Sequence, residues 1–160
     1  MINKYDISEK GELDGSPFSF GIVVAEWNSQ VTDRLLQGAI DALIEFKVNP
    51  DNIKIVKVPG SIEITKASQW LANTNKYDAI ICLGCVIQGE TKHFDYVCQS
   101  VTHGITELNL KYDIPFIFGV LTTYNIEQAL ERAGGKYGNK GSECAETAIK
   151  MLLAKKQIFD

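Results

Sequence analysis

Apolar and polar positions follow two periods along this chain, and the switches between them mark out the elements. Phe18 to Ala25 is a short apolar run with β-branched residues, which predicts a buried strand. Leu35, Leu36, Ala39, Ile40, Leu43 and Ile44 then recur at helical spacing, so an amphipathic helix is expected from Thr32 to about Phe46. Asn49-Pro50-Asp51-Asn52 is a turn, Ile53 to Val58 a second strand, and Pro59-Gly60 its end. Ser61 is placed to cap a second helix reaching about Ala72, with Glu63 in the first turn, where the helix dipole favours negative charge. The third strand is Ala79 to Ile87. A third helix starts near Phe94, with Val97, Val101, Ile105 and Leu108 on one stripe, and Pro115 to Leu121 reads as a fourth strand. Asn125-Ile126-Glu127-Gln128 has the form of a capping box for a short helix to about Ala133, ended by Gly134 and Gly135. A loop from Lys136 to Gly141 leads to a last helix, with Ala145, Ala148, Ile149 and Leu152 on its apolar face.

Strand and helix alternate four times with no hairpin signal between strands. This order predicts an α/β three-layer sandwich, flavodoxin-like, in which a four-stranded parallel sheet carries helices on both faces through right-handed crossovers. Residues 1–15 read as a variable N-terminal segment and residues 16–160 as a single domain.

Composition narrows the function classes. The 160 residues are 45% apolar and 22% charged, in the range of globular proteins. A net charge of −4 without a basic block argues against a broad nucleic-acid or anionic-membrane surface. No apolar run approaches the ~20 residues needed to span a bilayer. The segment from Met1 to Gly15 carries Asp6, Glu9, Glu12 and Asp14 and lacks the apolar stretch of a signal peptide, so a cytoplasmic location is expected. Cys82-Leu83-Gly84-Cys85 matches the C-x-x-C pattern, but it lies in an apolar strand, where residues three apart point to opposite faces. With no second ligand pair, these are expected to be core thiols, and no metal site is predicted.

In an open parallel sheet, ligands bind at the carboxyl ends of the strands, and the chemically capable residues gather there. Glu26-Trp27-Asn28 follows the first strand, Gly60-Ser61-Ile62-Glu63 the second, and Gln88-Gly89-Glu90-Thr91-Lys92-His93 the third. Thr122 and Thr123 follow the fourth, with Arg132, Lys136 and Lys140 farther on. Gly89-Glu90-Thr91 is either an anion-binding turn at a helix N-terminus or a plain connection. Neither G-x-x-x-x-G-K-[ST] nor G-x-G-x-x-G occurs, which disfavours nucleoside triphosphates and dinucleotides. His93 is placed for general acid or base work, or for a hydrogen bond at a helix start. His103, ten residues on, is rotated by roughly 280° around the helix and cannot share a metal with it. Trp27 either stacks on a flat heterocycle or caps the core. Arg132 and the loop lysines either bind phosphate or meet solvent.

From about Phe20 to Ile149 the chain resembles the 6,7-dimethyl-8-ribityllumazine synthases. The resemblance rests on Glu26-Trp27-Asn28 with Val31-Thr32, on Val58 to Ile64, and above all on Leu83 to Val97, which contains Gly89-Glu90-Thr91-Lys92-His93-Phe94-Asp95-Tyr96. Phe118 to Thr122, Gln128 to Gly134 and Gly138-Asn139-Lys140-Gly141 continue it in order. Thr65 stands where the family usually has Pro, and Ile62 where Phe is frequent.

The resemblance implies an enzyme without cofactor that condenses a ribitylamino-pyrimidine with a sugar phosphate, the penultimate step of riboflavin synthesis. It implies that Trp27 stacks on the pyrimidine, that Asn28, Ser61, Ile62 and Glu63 line the pyrimidine and ribityl pocket, and that Val86 and Ile87 add main-chain contacts. Glu90 and Thr91 match the phosphate-binding turn and His93 the proton-transfer residue. Phe118, Arg132, Lys136 and Lys140 match residues given by a neighbouring subunit, Arg132 pairing with the substrate phosphate. A homo-oligomer follows, either pentamers or a sixty-subunit shell. The short Gly134-Gly135-Lys136 connection is compatible with the shell, while Pro17 works against it by removing a backbone donor near the first strand.

Two other classes share the architecture, since one fold hosts many functions. A receiver-type signalling domain needs acidic residues after the first strand and an Asp after the third, where this chain has Glu26-Trp27 and Val86-Ile87-Gln88. A structural cage or flavin-binding relative without activity has no need of His93 and Arg132.

Overall fold

A computed structural model describes residues 13–160. Four strands, β1 (Phe20–Ala25), β2 (Ile53–Val58), β3 (Ala79–Ile87) and β4 (Phe116–Thr123), form one parallel sheet in the order β2-β1-β3-β4. The helices are α1 (Ser29–Glu45), α2 (Ser61–Asn73), α3 (His93–Lys111), α4 (Ile126–Glu131) and α5 (Lys140–Phe159). The N-terminal segment expected over residues 1–15 lies outside the described residues as far as residue 12. Leu13 is buried, and the Gly15 N–H donates to the Phe46 carbonyl at 2.7 Å.

Strand alternation sorts the core into two layers. Phe20, Ile22 and Val24 of β1 and Ile81, Leu83 and Cys85 of β3 face α1 and α5, packing on Leu35, Leu43, Ala145 and Ile149. Val23 and Ala25 of β1 and Ile80, Cys82 and Val86 of β3 face α2 and α3, packing on Ile64, Leu71, Val101 and Ile105. Cys82 and Cys85 thus fall on opposite faces of the sheet, as their spacing predicts. The three-layer sandwich with a four-stranded parallel sheet is the observed fold.

Several boundaries move, each for a local reason. α1 begins at Ser29 and not Thr32, because the Asn28 carbonyl already accepts from the N–H groups of Val31 at 2.8 Å and Thr32 at 3.0 Å. α2 is capped at Gly60 and not by Ser61, since the Glu63 carboxylate accepts from the Gly60 N–H at 3.0 Å. β4 runs on to Thr123 because β3 pairs with it as far as Ile87. Where a loop from Lys136 to Gly141 is expected, the chain forms a small antiparallel hairpin of β5 (Ala133–Gly135) and β6 (Gly138–Asn139). Gly134 (φ 99°), at the register shift within β5, and Gly138 (φ 78°), the first residue of β6, take positive φ. α5 then starts at Lys140, as the Asn139 Oδ1 accepts from the N–H groups of Gly141 and Ser142 at 2.8 and 3.2 Å.

No helix among the described residues is long and apolar enough to cross a membrane.

Candidate active site

The sheet opens where its central strands part. β1 pairs with β3 only as far as Val24 and Leu83, whereas β1 stays with β2 to Ala25 and Val58, and β3 with β4 to Ile87 and Thr123. Two neighbouring strands that leave in opposite directions produce the crevice of an open α/β sheet. A cavity of about 320 Å³ fills it, walled by the end of β1 and the segment after it, the N-terminus of α2, the end of β3 and the start of α3.

Eight of the residues named from the sequence meet in this cavity: Trp27, Asn28, Ser61, Ile62, Glu63, Val86, Ile87 and His93. Trp27 is 67% exposed, so its ring is open to a stacking partner. Its backbone is tied to β2 by an N–H bond to the Pro59 carbonyl at 3.0 Å. Its ring lies over Gly60, where a Cβ would approach the indole Cε3 to 2.5 Å. Ser61 sits at the back of the cavity, its Oγ 2.7 Å from where a Cβ on Gly84 would be. One oxygen of Glu63 is committed to the Gly60 N–H. The Asn28 side chain donates from Nδ2 to the Cys85 carbonyl at 2.8 Å.

Cys85 also lines the cavity, and burial pushes its thiol up to about 11, so it stays a small neutral group there. Glu63, His93 and Cys85 are the ionisable residues of the wall, which contains neither Lys nor Arg.

Glu90 and Thr91 stand in the turn from β3 to α3. Thr91 Oγ1 accepts from the His93 N–H at 3.3 Å, and the N–H groups of Gly89, Glu90, Thr91 and Lys92 bond to nothing among the described residues. A Cβ on Gly89 would touch nothing within 4 Å, so this turn is open. Unpaired amides heading a 19-residue helix are an arrangement suited to an anion.

The remaining residues lie elsewhere on the chain. Phe118, 40% exposed on the free edge of β4, and Lys140 share one groove along that edge. Arg132 donates from Nη1 to the Gln128 carbonyl at 2.9 Å and stacks over the Tyr137 ring with its Cζ 4.7 Å from the centroid. Lys136 Nζ is 5.3 Å from the same centroid. None of Phe118, Arg132, Lys136 and Lys140 lines the cavity of its own chain. His103 points away into solvent and approaches Glu107 at 4.0 Å.

Three features escape the sequence reading. Tyr137, between two cations, has a signal in its position. Gly60 as the seat of the Trp27 ring has only the weak one of a Pro-Gly pair. The Asn28 to Cys85 bond, across 57 positions, has none.

A sequence profile of the 6,7-dimethyl-8-ribityllumazine synthases matches residues 17–156. Proteins named 6,7-dimethyl-8-ribityllumazine synthase are similar along almost their full length. That of Parabacteroides distasonis is 55% identical over 151 residues, 94% of this chain and 93% of the relative. That of Cytophaga hutchinsonii is 58% identical over 146 residues, 91% and 92% of the two. That of Porphyromonas gingivalis is 56% identical over 137 residues, 86% and 85%. With fold, crevice and extended similarity in agreement, the chain belongs to the 6,7-dimethyl-8-ribityllumazine synthase family.

Proposed function

We propose that this protein condenses 5-amino-6-(D-ribitylamino)uracil with 3,4-dihydroxy-2-butanone 4-phosphate, giving 6,7-dimethyl-8-ribityllumazine, phosphate and water in the penultimate step of riboflavin synthesis. The observation that carries the reading is the crevice, in which an exposed indole and an imidazole line one cavity, with a turn of amides unpaired among the described residues leading into that imidazole.

Trp27 stacks on the pyrimidine, Asn28 lines the pocket beside it, and Ser61, Ile62 and the uncommitted oxygen of Glu63 take the edge of the ring and the ribityl chain. The main chain of Val86 and Ile87 contacts the heterocycle. The amides at Glu90 and Thr91 hold the phosphate. The pyrimidine amine attacks the ketone carbon, water departs, and an imine forms between the two substrates, so no lysine of the protein is consumed. Phosphate leaves by elimination, the resulting enol tautomerises to a ketone, and the ribitylamino nitrogen adds to that carbonyl and expels a second water to close the ring. His93 moves the proton in these steps, a contribution of about 10²–10⁴ for a positioned acid or base. Holding both reactants in register is the larger effect, worth roughly 7–11 kcal/mol in well-oriented systems.

A phosphate ester in a cavity without Lys or Arg needs a cation from outside it. Phe118, Arg132, Lys136 and Lys140 lie away from the cavity of their own chain, so a neighbouring copy supplies them, with Arg132 on the phosphate. The working unit is therefore a homo-oligomer, a pentamer or a shell of sixty chains, acting in the cytoplasm. Incubating the purified protein with both substrates and following the product chromophore tests the activity. Absence of the chromophore at high enzyme concentration refutes it. Light scattering measures the assembly, and a monomer that turns over would refute the shared site.

A further inference from the structure

We infer that Asn28 is a positioning residue, whose side-chain amide bridges the gap between β1 and β3 and holds the Trp27 ring over the substrate cleft. The inference rests on the function proposed above.

Continuing the register of β1 and β3 beyond Val24 and Leu83 would set Glu26 opposite Cys85. The chain does otherwise. The Glu26 N–H turns to the Val58 carbonyl at 2.7 Å and the Trp27 N–H to the Pro59 carbonyl at 3.0 Å, both on the β2 side. β3 thereby loses its neighbour on one flank, at a residue that is 4% exposed. A carbonyl left without a donor in such a place is costly, and Asn28 Nδ2 supplies the donor at 2.8 Å.

Asn28 departs from two local habits to do so. Its backbone is left-handed, φ 61° and ψ 43°, a conformation that Asn tolerates better than other residues with a Cβ. It also occupies the N-cap of α1, where an Asn side chain normally accepts a helical N–H, yet it makes no such bond. A good capping residue whose side chain reaches to the adjacent strand breaks a local rule at the edge of a binding cleft, where such breaks gather. Trp27 is then held between two fixed points, its own N–H on the β2 side and its neighbour's amide on the β3 side. The cavity lies between them.

Asn28→Gly keeps the left-handed backbone and removes the bridge. Asn28→Asp keeps size and backbone tolerance, but its carboxylate has no N–H to donate. Both are made in the full-length assembled protein, with Trp70→Phe so that Trp27 alone reports by fluorescence. Both variants are expected to raise the KM for the ribitylamino-pyrimidine about three- to tenfold, the range of one hydrogen bond. The KM for the sugar phosphate is expected to stay within about twofold, and the anisotropy of Trp27 to fall. An unchanged pyrimidine KM with unchanged anisotropy in both variants overturns the inference. So does an equal rise in both KM values with unchanged anisotropy, which reports general loosening. The anisotropy needs no turnover, so an unmutated protein that makes no lumazine would sink the proposed reaction and leave the bridge to be judged by fluorescence.

Discussion

Replacing Gly60 by Ala separates the stability of the fold from the placement of the stacking ring. The backbone at Gly60 is extended, φ −141° and ψ −177°, so Ala fits it without strain. The new Cβ, however, would lie 2.5 Å from Cε3 and 2.7 Å from Cζ3 of Trp27. Carbon atoms pack at about 3.5–4.0 Å, so the ring has to retreat by roughly 1 Å. It can, because the ring is two-thirds exposed and little of its burial is at stake. Unfolding free energy should therefore stay within about 0.5 kcal/mol of the unmutated protein, as for other surface changes. Binding should suffer more, since an aromatic pair contributes about 0.5–1.5 kcal/mol beyond buried area, which a displaced plate forfeits. The KM for the ribitylamino-pyrimidine is expected to rise about two- to tenfold with little change for the sugar phosphate. Thermal unfolding and initial rates of chromophore formation measure the two quantities. A folded Gly60→Ala protein with the original pyrimidine KM would refute the stacking role of Trp27, and one that unfolds would refute the claim that the ring is free to move.

Other outcomes follow from the same geometry. His93→Ala should lower kcat by about 10² while leaving slow turnover, because the reactants remain held together; an unaltered kcat would remove His93 from proton transfer. Arg132→Ala should cost more, about 10²–10³ in kcat/KM for the sugar phosphate, with partial recovery in Arg132→Lys; a loss seen equally for the pyrimidine alone would point elsewhere. Asn139→Ala removes three bonds, from Gly141 and Ser142 N–H and to the Arg34 carbonyl, and should lower stability by about 1–2 kcal/mol in chemical denaturation. Burial pushes the thiols of Cys82 and Cys144 up to about 12 and that of Cys85 to about 11, from an ordinary 9.0. The unfolded chain then releases these protons first as pH rises, so stability is retained below about pH 9 and declines above it. Denaturation curves from pH 7 to 10.5 measure this, and a stability that rises over that range contradicts it.

What could be read of the site residues' placement divides by their separation along the chain. Residues near one another in sequence were legible early: the β3-to-α3 turn through His93 and the Ser61-Ile62-Glu63 segment both reach the predicted end of the sheet, because a strand's end is wherever its apolar run stops. The hairpin at Ala133 to Asn139 was hidden, since seven residues, three of them Gly, carry no strand pattern; its form is set by Asn139, which joins α5 to α1. Ser61 and Gly60 exchanged roles for a similar reason. Both can start a helix, and the choice fell to a Glu63 carboxylate within reach of one N–H.

Periodicity by itself determined the parallel sheet, the two helical layers and the end of the molecule that holds the chemistry, because burying one face of each element is a local demand repeated at every turn. The splay of β1 from β3, the Asn28 bridge and the seat of Trp27 on Gly60 arose only in the folded chain. They depend on groups brought together from distant segments, and a one-dimensional pattern records which face a residue prefers but not which partner waits there.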